Sequence, residues 1–175
     1  MNSKLKSIYC FDTSAFIQLH IANKVIPIPD LWSELSDFFA LGKIISHEFV
    51  FEEINPKTAK PDFIAKWIEN KQKYFFPISD KQIELVSKIL GKFPDLIDPE
   101  KEKNEADPWL IALALEKMDD LHLFKEETKV IVVSQEKISS SKKIPAACKE
   151  FGVQHMNLEE FFKDNNWKFT ISKKE

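Results

Sequence analysis

The sequence has few glycines, few cysteines and no excess of positive charge. Its three glycines among 175 residues indicate a compact chain with few flexible loops. The two cysteines, Cys10 and Cys148, lack the spacing of a metal site, which favours reduced core residues of a cytosolic protein. A net charge of −3 supplies no global field that would attract nucleic acid, so a polyanion would need a local lysine patch or bound cations.

The sequence also lacks a long hydrophobic run. No stretch reaches the apolar length needed to span a bilayer. Lys4 and Lys6 precede an apolar run, as in a signal peptide, but Asp12 interrupts that run and no small-residue cleavage site follows. We therefore expect a soluble, cytoplasmic protein that has no membrane partner.

Apolar and aromatic side chains are abundant. A hydrophobic fraction of 43%, with 12% aromatic residues, excludes disorder and predicts a well-filled interior. The length suits one domain with its own core. Because no linker or internal repeat divides the chain, we expect a single domain over residues 1–175, with a core from about residue 8 to about residue 162 and a C-terminal tail over residues 163–175.

Apolar runs and helical periodicities alternate along the chain. Residues 8–11 and 129–134 are rich in β-formers and typical of buried strands, and the helix after the first run has Thr13 or Ser14 as a candidate N-cap. This alternation predicts an α/β fold in three layers, with a central, mostly parallel sheet flanked by helices. The predicted strands are residues 8–11, 43–46, 74–76, 129–134 and 153–156, and the predicted helices are residues 15–22, 30–41, 47–54, 62–72, 79–90, 105–118, 144–151 and 158–163.

Four carboxylates occupy equivalent places in this pattern, at strand ends or early in the helices that follow. They are Asp12, Glu53, Asp107 and Glu136. In a doubly wound sheet such positions share one rim, where residues far apart in sequence converge. Two carboxylates about 4 Å apart repel by roughly 1–4 kcal/mol, so this group needs a divalent cation. Oxygen ligands suit Mg²⁺ or Mn²⁺, and the histidines (His20, His47, His122 and His155) show no zinc-like spacing and are expected to be structural or surface residues.

Four motifs contain these carboxylates. They are Phe11-Asp12-Thr13-Ser14, Glu52-Glu53-Ile54, Ala106-Asp107-Pro108-Trp109-Leu110 with the apolar helix that follows, and Val132-Val133-Ser134-Gln135-Glu136. In this order and strand–helix context the chain, from about residue 8 to about residue 162, resembles a PIN domain, the nuclease fold of the VapC-type toxins of type II toxin–antitoxin pairs. The resemblance implies a metal-dependent ribonuclease site at the carboxyl edge of the sheet.

The resemblance also implies roles for the four carboxylates, which would form the catalytic quartet. Asp12 and Asp107 would be direct ligands of Mg²⁺ or Mn²⁺. Glu53 would bind a second metal or its water, and Glu136 would act through water. Water would attack the phosphodiester and leave a 5′-phosphate and a 3′-hydroxyl. Ser14 would support Asp12, and Ser134 would help orient the fourth carboxylate.

The chain departs from the family pattern in its fourth motif. The usual motif is Thr-x-Asp, whereas Ser134-Gln135-Glu136 ends in a longer side chain, so the share of Glu136 in metal coordination stays open. A second ambiguity concerns Glu52 and Glu53, because only one of two adjacent residues can face the site. Glu53 is preferred because it directly precedes the apolar Ile54, as in the family pattern.

Three lysines surround a serine run just after the fourth motif: Lys137, Lys142 and Lys143. They form either a solvated loop, which is slightly favoured, or a loop that contacts phosphate and makes RNA binding salt-dependent.

Three functional hypotheses follow. The first is a metal-dependent endoribonuclease, the toxin component of a toxin–antitoxin pair. The second is a PIN-like module with a weak or inactive site that binds RNA or protein. The third, a haloacid-dehalogenase-type enzyme with Asp12 as nucleophile, is disfavoured because Ser14 stands where that class needs a second Asp.

The resemblance implies three kinds of partner, namely an RNA substrate, a protein antitoxin and a second copy of the chain. Candidate contact surfaces are the apolar tail at Trp167–Ile171 and the Phe-rich helical region before Gly42.

Overall fold

The computed structural model describes residues 6–25, 28, 30–56, 60–100, 105–123, 128–136 and 143–168. Strands and helices alternate through these ranges. The strands are β1 (Lys6–Phe11), β2 (Ile44–His47), β3 (Phe75–Phe76), β4 (Thr128–Val133) and β5 (Gln154–Met156). The helices are α1 (Thr13–Val25), α2 (Leu31–Ala40), α3 (Glu48–Ile54), α4 (Phe63–Ile68), α5 (Asp80–Lys92), α6 (Asp107–Leu123), α7 (Ile144–Glu150) and α8 (Leu158–Asp164), with 3₁₀ turns at Glu69–Tyr74 and Pro94–Leu96.

The five strands form one parallel sheet in the order β3-β2-β1-β4-β5, which confirms the predicted α/β fold. The central strand β1 pairs with β4 along its whole length, from Lys6 opposite Thr128 to Phe11 opposite Val133. The chain adds β2 and β3 on one side of β1 and then returns to add β4 and β5 on the other side. The direction of winding therefore reverses between β1 and β4.

Helices cover both faces of the sheet and make three layers. Alternation along β1 places Tyr9 and Phe11 on one face, where their rings lie 4.9 and 5.0 Å from the ring of Phe161 in α8. On the other face α6 contacts β1, β2 and β4, and α5 and α7 pack beside it. The buried run Leu110–Ala114 shows that α6 is enclosed on all sides over this stretch.

The first helix begins earlier than its sequence pattern suggests, because Asp12 is its N-cap. The Asp12 carbonyl accepts the N–H of Ala15, and its carboxylate accepts the N–H of Ser14 at 3.0 Å. The prediction that Thr13 or Ser14 caps this helix is therefore wrong. An aspartate at this place satisfies the first free N–H groups of α1 more directly than either hydroxyl.

The helix predicted over residues 62–72 ends at Ile68 and continues as a 3₁₀ turn. At this point Lys71 Nζ reaches back to the carbonyl of Trp67 at 2.9 Å, a contact by which basic side chains terminate helices. Helix α6 is longer than predicted and ends at Leu123. None of the helices in the described ranges has the length and apolar character needed to cross a bilayer.

The described aromatic side chains of the two predicted contact surfaces pack against the core. In the Phe-rich helix α2, Phe38 is 8% exposed and Phe39 is fully buried. The ring of Trp167 lies 5.3 Å from that of Phe38 and 5.6 Å from that of Phe161. Phe38 and Phe39 are therefore core residues and offer little free surface to a partner, and Trp167 is partly buried against the same core. Residues 169–171 of the tail lie outside the described residues.

Candidate functional site

The carboxyl ends of the parallel strands form one edge of the sheet, and the reversal between β1 and β4 opens a crevice there. Asp12 directly follows β1, and its N–H donates to the carbonyl of Val133, the last residue of β4, at 2.9 Å. The loop after β4 leads to Glu136. Asp12 and Glu136 therefore lie beside the place where open α/β sheets bind ligands.

Asp12 is almost completely buried, with 4% of its surface exposed. Its Oδ2 atom accepts two hydrogen bonds from Ser14, one from the N–H at 3.0 Å and one from the hydroxyl at 2.5 Å. Burial raises the pKa of Asp12 to about 6 even though both Ser14 bonds lower it, and the charges of Glu53 and Glu136 raise it further. Ser14 thus supports Asp12, as the resemblance implies.

Asp107 is the first residue of α6, so its carboxylate lies at the positive end of a long helix. Burial nonetheless raises the pKa of Asp107 to about 8, with further contributions from the charges of Asp12, Glu136 and Glu53. Lys143 acts in the opposite direction. Within the described part of the chain, no hydrogen bond to the Asp107 carboxylate offsets this burial. A cleft carboxylate perturbed in this way is a candidate functional group.

Glu53 lies on α3 and is held at both of its oxygens. Oε1 accepts the N–H of Ala106 at 3.0 Å, and Oε2 accepts the hydroxyl of Thr13. Both partners adjoin the aspartates of the site, since Thr13 follows Asp12 and Ala106 precedes Asp107. Glu53 therefore faces the carboxylate group, as preferred from the sequence.

Glu52 points elsewhere. Its side chain lines an open cavity of about 420 Å³ on the β3 side of the sheet, together with residues of α3, the first 3₁₀ turn and β3. The lining residues are Glu48, Phe51, Glu52, Gln72, Lys73, Phe75 and Pro77. None of the carboxylates at the crevice lines this cavity. The ambiguity between the adjacent glutamates is resolved by this difference in direction.

Glu136 is anchored to the start of α7. Its Oε2 accepts the N–H of Ile144 at 2.8 Å, and its Oε1 lies 3.4 Å from Lys143 Nζ. Ser134, expected to orient this carboxylate, is fully buried, and its hydroxyl lies 2.9 Å from His155 Nε2. The predicted contact between Ser134 and the fourth carboxylate is therefore replaced by contacts from α7.

Of the three lysines after the fourth motif, the structure describes Lys143 alone. It is exposed and close to Glu136, and its charge reaches Asp107. Lys137 and Lys142 lie outside the described residues.

The donor set determines whether a divalent cation fits. Across the described ranges, no three or more His, Cys, Asp or Glu side chains are arranged to hold a metal ion. Mg²⁺ does not require such a cage, because it keeps several waters and binds through one or two carboxylates together with substrate phosphate. Asp12 and Asp107 fit this pattern, since Asp12 is buried, Asp107 is partly buried, and the charge of Asp12 raises the pKa of Asp107. Glu53 fits less well as a third ligand because a cation would have to share both of its oxygens with protein donors.

A buried polar network beside the site was not found from the sequence. His47, at the end of β2, accepts the N–H of Phe49 at Nδ1, which leaves Nε2 to donate to Gln82 at 3.1 Å. Gln82 in turn donates to Glu116 of α6 at 2.7 Å, and the His47 ring stacks on that of Trp109 at 5.6 Å. The available signal was a histidine directly after a buried strand, where an N-cap is needed.

With this geometry established, comparison with protein families identifies a family for the chain. A family model described as a domain of unknown function, DUF4411, matches residues 9–169. The chain belongs to this family. The DUF4411 match spans all four carboxylates at the carboxyl edge of the sheet. A search of curated proteins finds no match. The DUF4411 description names no activity, so a function for this chain has to be argued from its own residues.

Proposed function

We propose that this DUF4411 protein is a divalent-metal-dependent endoribonuclease with a PIN-like site, and that it acts as the toxin component of a toxin–antitoxin pair. The main support is the pairing of Asp12 and Asp107 at the switch point of the sheet. Burial and neighbouring negative charges raise the pKa of both carboxyl groups, to about 6 and about 8. Such a pair has a strong electrostatic reason to bind Mg²⁺ or Mn²⁺.

Asp12 and Asp107 would hold the cation between the end of β1 and the start of α6. When bound, the cation supplies Lewis-acid activation of water and charge stabilisation at the phosphodiester. Ser14 fixes the orientation of Asp12 through two bonds to Oδ2, and none of the described residues donates to Oδ1. That oxygen is therefore left for a ligand.

The RNA backbone needs a positive contact at this acidic edge. Lys143 meets that need, because it is exposed at the start of α7 and its charge already acts on Asp107. Its pairing with Glu136 holds the ammonium group near the site while leaving it open to solvent. We assign Lys143 to contact phosphate and Glu136 to position that lysine.

The test is cleavage of a mixed panel of labelled RNAs by purified protein with Mg²⁺ or Mn²⁺, repeated with EDTA. The key variant is Asp107→Asn. Its matched control is Asp119→Asn, which removes an exposed carboxylate on the same helix, where Asp119 pairs with Lys81. The proposal is supported if the wild type and Asp119→Asn cut RNA only when the cation is present and Asp107→Asn does not cut. Equal cutting by both variants refutes the site.

The toxin role needs a separate test. Induced expression of the wild type in a heterologous host should arrest growth, and Asp107→Asn should relieve the arrest at equal protein level. Growth arrest by both proteins would separate toxicity from the proposed site.

A second candidate function is a PIN-like module that binds RNA or protein without cutting. The observation in its favour is that Glu53 and Glu136 are both engaged by hydrogen bonds from the protein, which leaves two aspartates for a cation. RNA binding by the wild type that is unaffected by Mn²⁺ and produces no cleavage would favour this candidate.

A further inference from the structure

Glu53 joins three helices around the proposed cation pair. From α3, its carboxylate accepts one hydrogen bond from Thr13 in α1 and one from Ala106 at the start of α6. These contacts connect residues 40 and 53 positions apart in the sequence. A single carboxylate therefore links three elements that are remote along the chain.

The two residues that Glu53 contacts are those that adjoin the aspartates. Thr13 is the first residue of α1 and directly follows Asp12. Ala106 directly precedes Asp107 and occupies the N-cap position of α6, since its carbonyl accepts the N–H of Leu110. The backbone N–H of an N-cap residue is commonly satisfied by a glutamate three residues later in the same helix, whereas here a glutamate of another helix does so.

This arrangement favours a structural role for Glu53. Each oxygen already accepts one hydrogen bond from the protein, so a cation would have to share these oxygens with the Thr13 hydroxyl and the Ala106 N–H. The two contacts link the first residue of α1 to the N-cap of α6, and these two residues adjoin Asp12 and Asp107.

We propose that Glu53 is a positioning residue, a brace that holds the starts of α1 and α6 at the spacing the aspartate pair requires, and that it is not a cation ligand. This inference rests on the proposed function only in taking Asp12 and Asp107 as the cation pair. It separates the four carboxylates into two that bind and two, Glu53 and Glu136, that organise the protein around them.

The experiment is Mn²⁺ binding by calorimetry, with no RNA present, on four single variants and the double variant Thr13→Val/Glu53→Ala. Glu53→Gln keeps both contacts, because its amide offers one acceptor for Ala106 and one donor for the Thr13 oxygen. Glu53→Ala loses both contacts, and Thr13→Val loses one. Glu52→Gln is the matched control, since it removes the adjacent charge from a side chain that faces the separate cavity.

If Glu53 acts as a brace, the Mn²⁺ affinity of Glu53→Gln should lie much closer to that of Glu52→Gln than to that of Glu53→Ala, with a small loss because the Glu53 charge acts on both aspartates. This role also predicts that Glu53→Ala loses about 10–100-fold in affinity, the usual effect of removing a residue that orients metal ligands. Thr13→Val should lose part of this affinity. The double variant Thr13→Val/Glu53→Ala should bind Mn²⁺ as Glu53→Ala does, because the Thr13–Glu53 hydrogen bond is already absent in Glu53→Ala. If Glu53→Gln instead loses as much affinity as Glu53→Ala, Glu53 is a ligand and the brace is refuted.

Urea unfolding of the same variants separates this inference from the proposed function. A wild type that binds no Mn²⁺ would count against the metal site. The proposed role of Glu53 would still require that the double variant Thr13→Val/Glu53→Ala lowers the urea midpoint by less than the sum of the two single variants. Additive losses would refute the brace whatever the metal does.

Discussion

The N–H of Gln135 donates a 3.0 Å hydrogen bond to the hydroxyl oxygen of Ser14, joining residues that are 121 positions apart. The same hydroxyl donates to Asp12 Oδ2 at 2.5 Å. Ser14 therefore connects the end of β1 to the loop after β4, across the place where the winding of the sheet reverses. The Ser14 side chain therefore fixes the position of the loop after β4 relative to the Asp12 carboxylate.

Ser14→Ala should remove both contacts. The buried carboxylate loses a donor and the Gln135 N–H loses its acceptor, so we expect the free energy of unfolding to fall by about 1–3 kcal/mol in urea titrations. Ser14→Thr keeps the hydroxyl and is the conservative control. If Ser14→Ala is as stable as the wild type, the bridge contributes nothing to the fold.

The second prediction concerns Asp107 and pH in the absence of divalent cations. Burial and three neighbouring carboxylates raise the pKa of Asp107 from 3.8 to about 8, so the folded protein holds this proton more tightly than the unfolded chain. The free energy of unfolding should therefore fall as pH rises from 4 through 8, by about 2 kcal/mol between pH 6 and 8. Asp107→Asn removes this contribution and should be more stable than the wild type at pH 8.

The measurement is urea unfolding of both proteins in EDTA at pH 6 and pH 8. His47 and His155 act in the opposite direction, because burial lowers the pKa of each and stability from them rises with pH. Both histidines are present in wild type and variant, so their contribution cancels in the difference. Equal pH slopes for the two proteins would contradict the prediction, and added Mn²⁺ should raise the stability of the wild type alone.

The third prediction tests the buried network at His47. His47→Ala leaves the N–H of Phe49 and the amide of Gln82 without their partners in a fully buried place. We expect a loss of about 2–4 kcal/mol in the free energy of unfolding. His122→Ala, at an exposed position on α6, should change it by less than about 0.5 kcal/mol. Similar losses for both variants would mean that the network does not stabilise the protein.

The fold could be predicted from the sequence because its strongest elements carry unmistakable patterns. The run Val130–Val133 is apolar at consecutive positions, and such a strand is stable only when both of its faces are covered. The alternation of such runs with amphipathic helices fixes a parallel sheet. The break after Ile68 was missed because it depends on where the Lys71 side chain goes, which periodicity does not record.

The site could be predicted only in part. The order of the motifs predicted that the four carboxylates lie at one edge of the sheet. Adjacent residues of a helix differ in direction by about 100°, and the sequence alone does not show which of Glu52 and Glu53 faces the site. Contacts between residues that are distant in the sequence could not be predicted either. His47 meets Gln82 over 35 positions, and Thr13 meets Glu53 over 40, with no pattern that links them.

The last prediction concerns Lys143 and rests on the proposed RNA substrate. If this exposed lysine contacts one phosphate, Lys143→Gln should weaken binding of single-stranded RNA and reduce the slope of log affinity against log salt by about 0.7, the value for one neutralised phosphate. Binding is measured in EDTA, which prevents cleavage, over a series of salt concentrations.

Lys88→Gln is the control for Lys143→Gln, because it removes one exposed positive charge from α5 and leaves the carboxyl edge of the sheet intact. Both variants change the net charge equally, so a purely global effect would shift their affinities alike. A local phosphate contact changes the salt slope for Lys143→Gln alone. Equal slopes of log affinity against log salt for the wild type and Lys143→Gln would show that this lysine does not contact phosphate. The phosphate contact would then have to lie elsewhere on the edge.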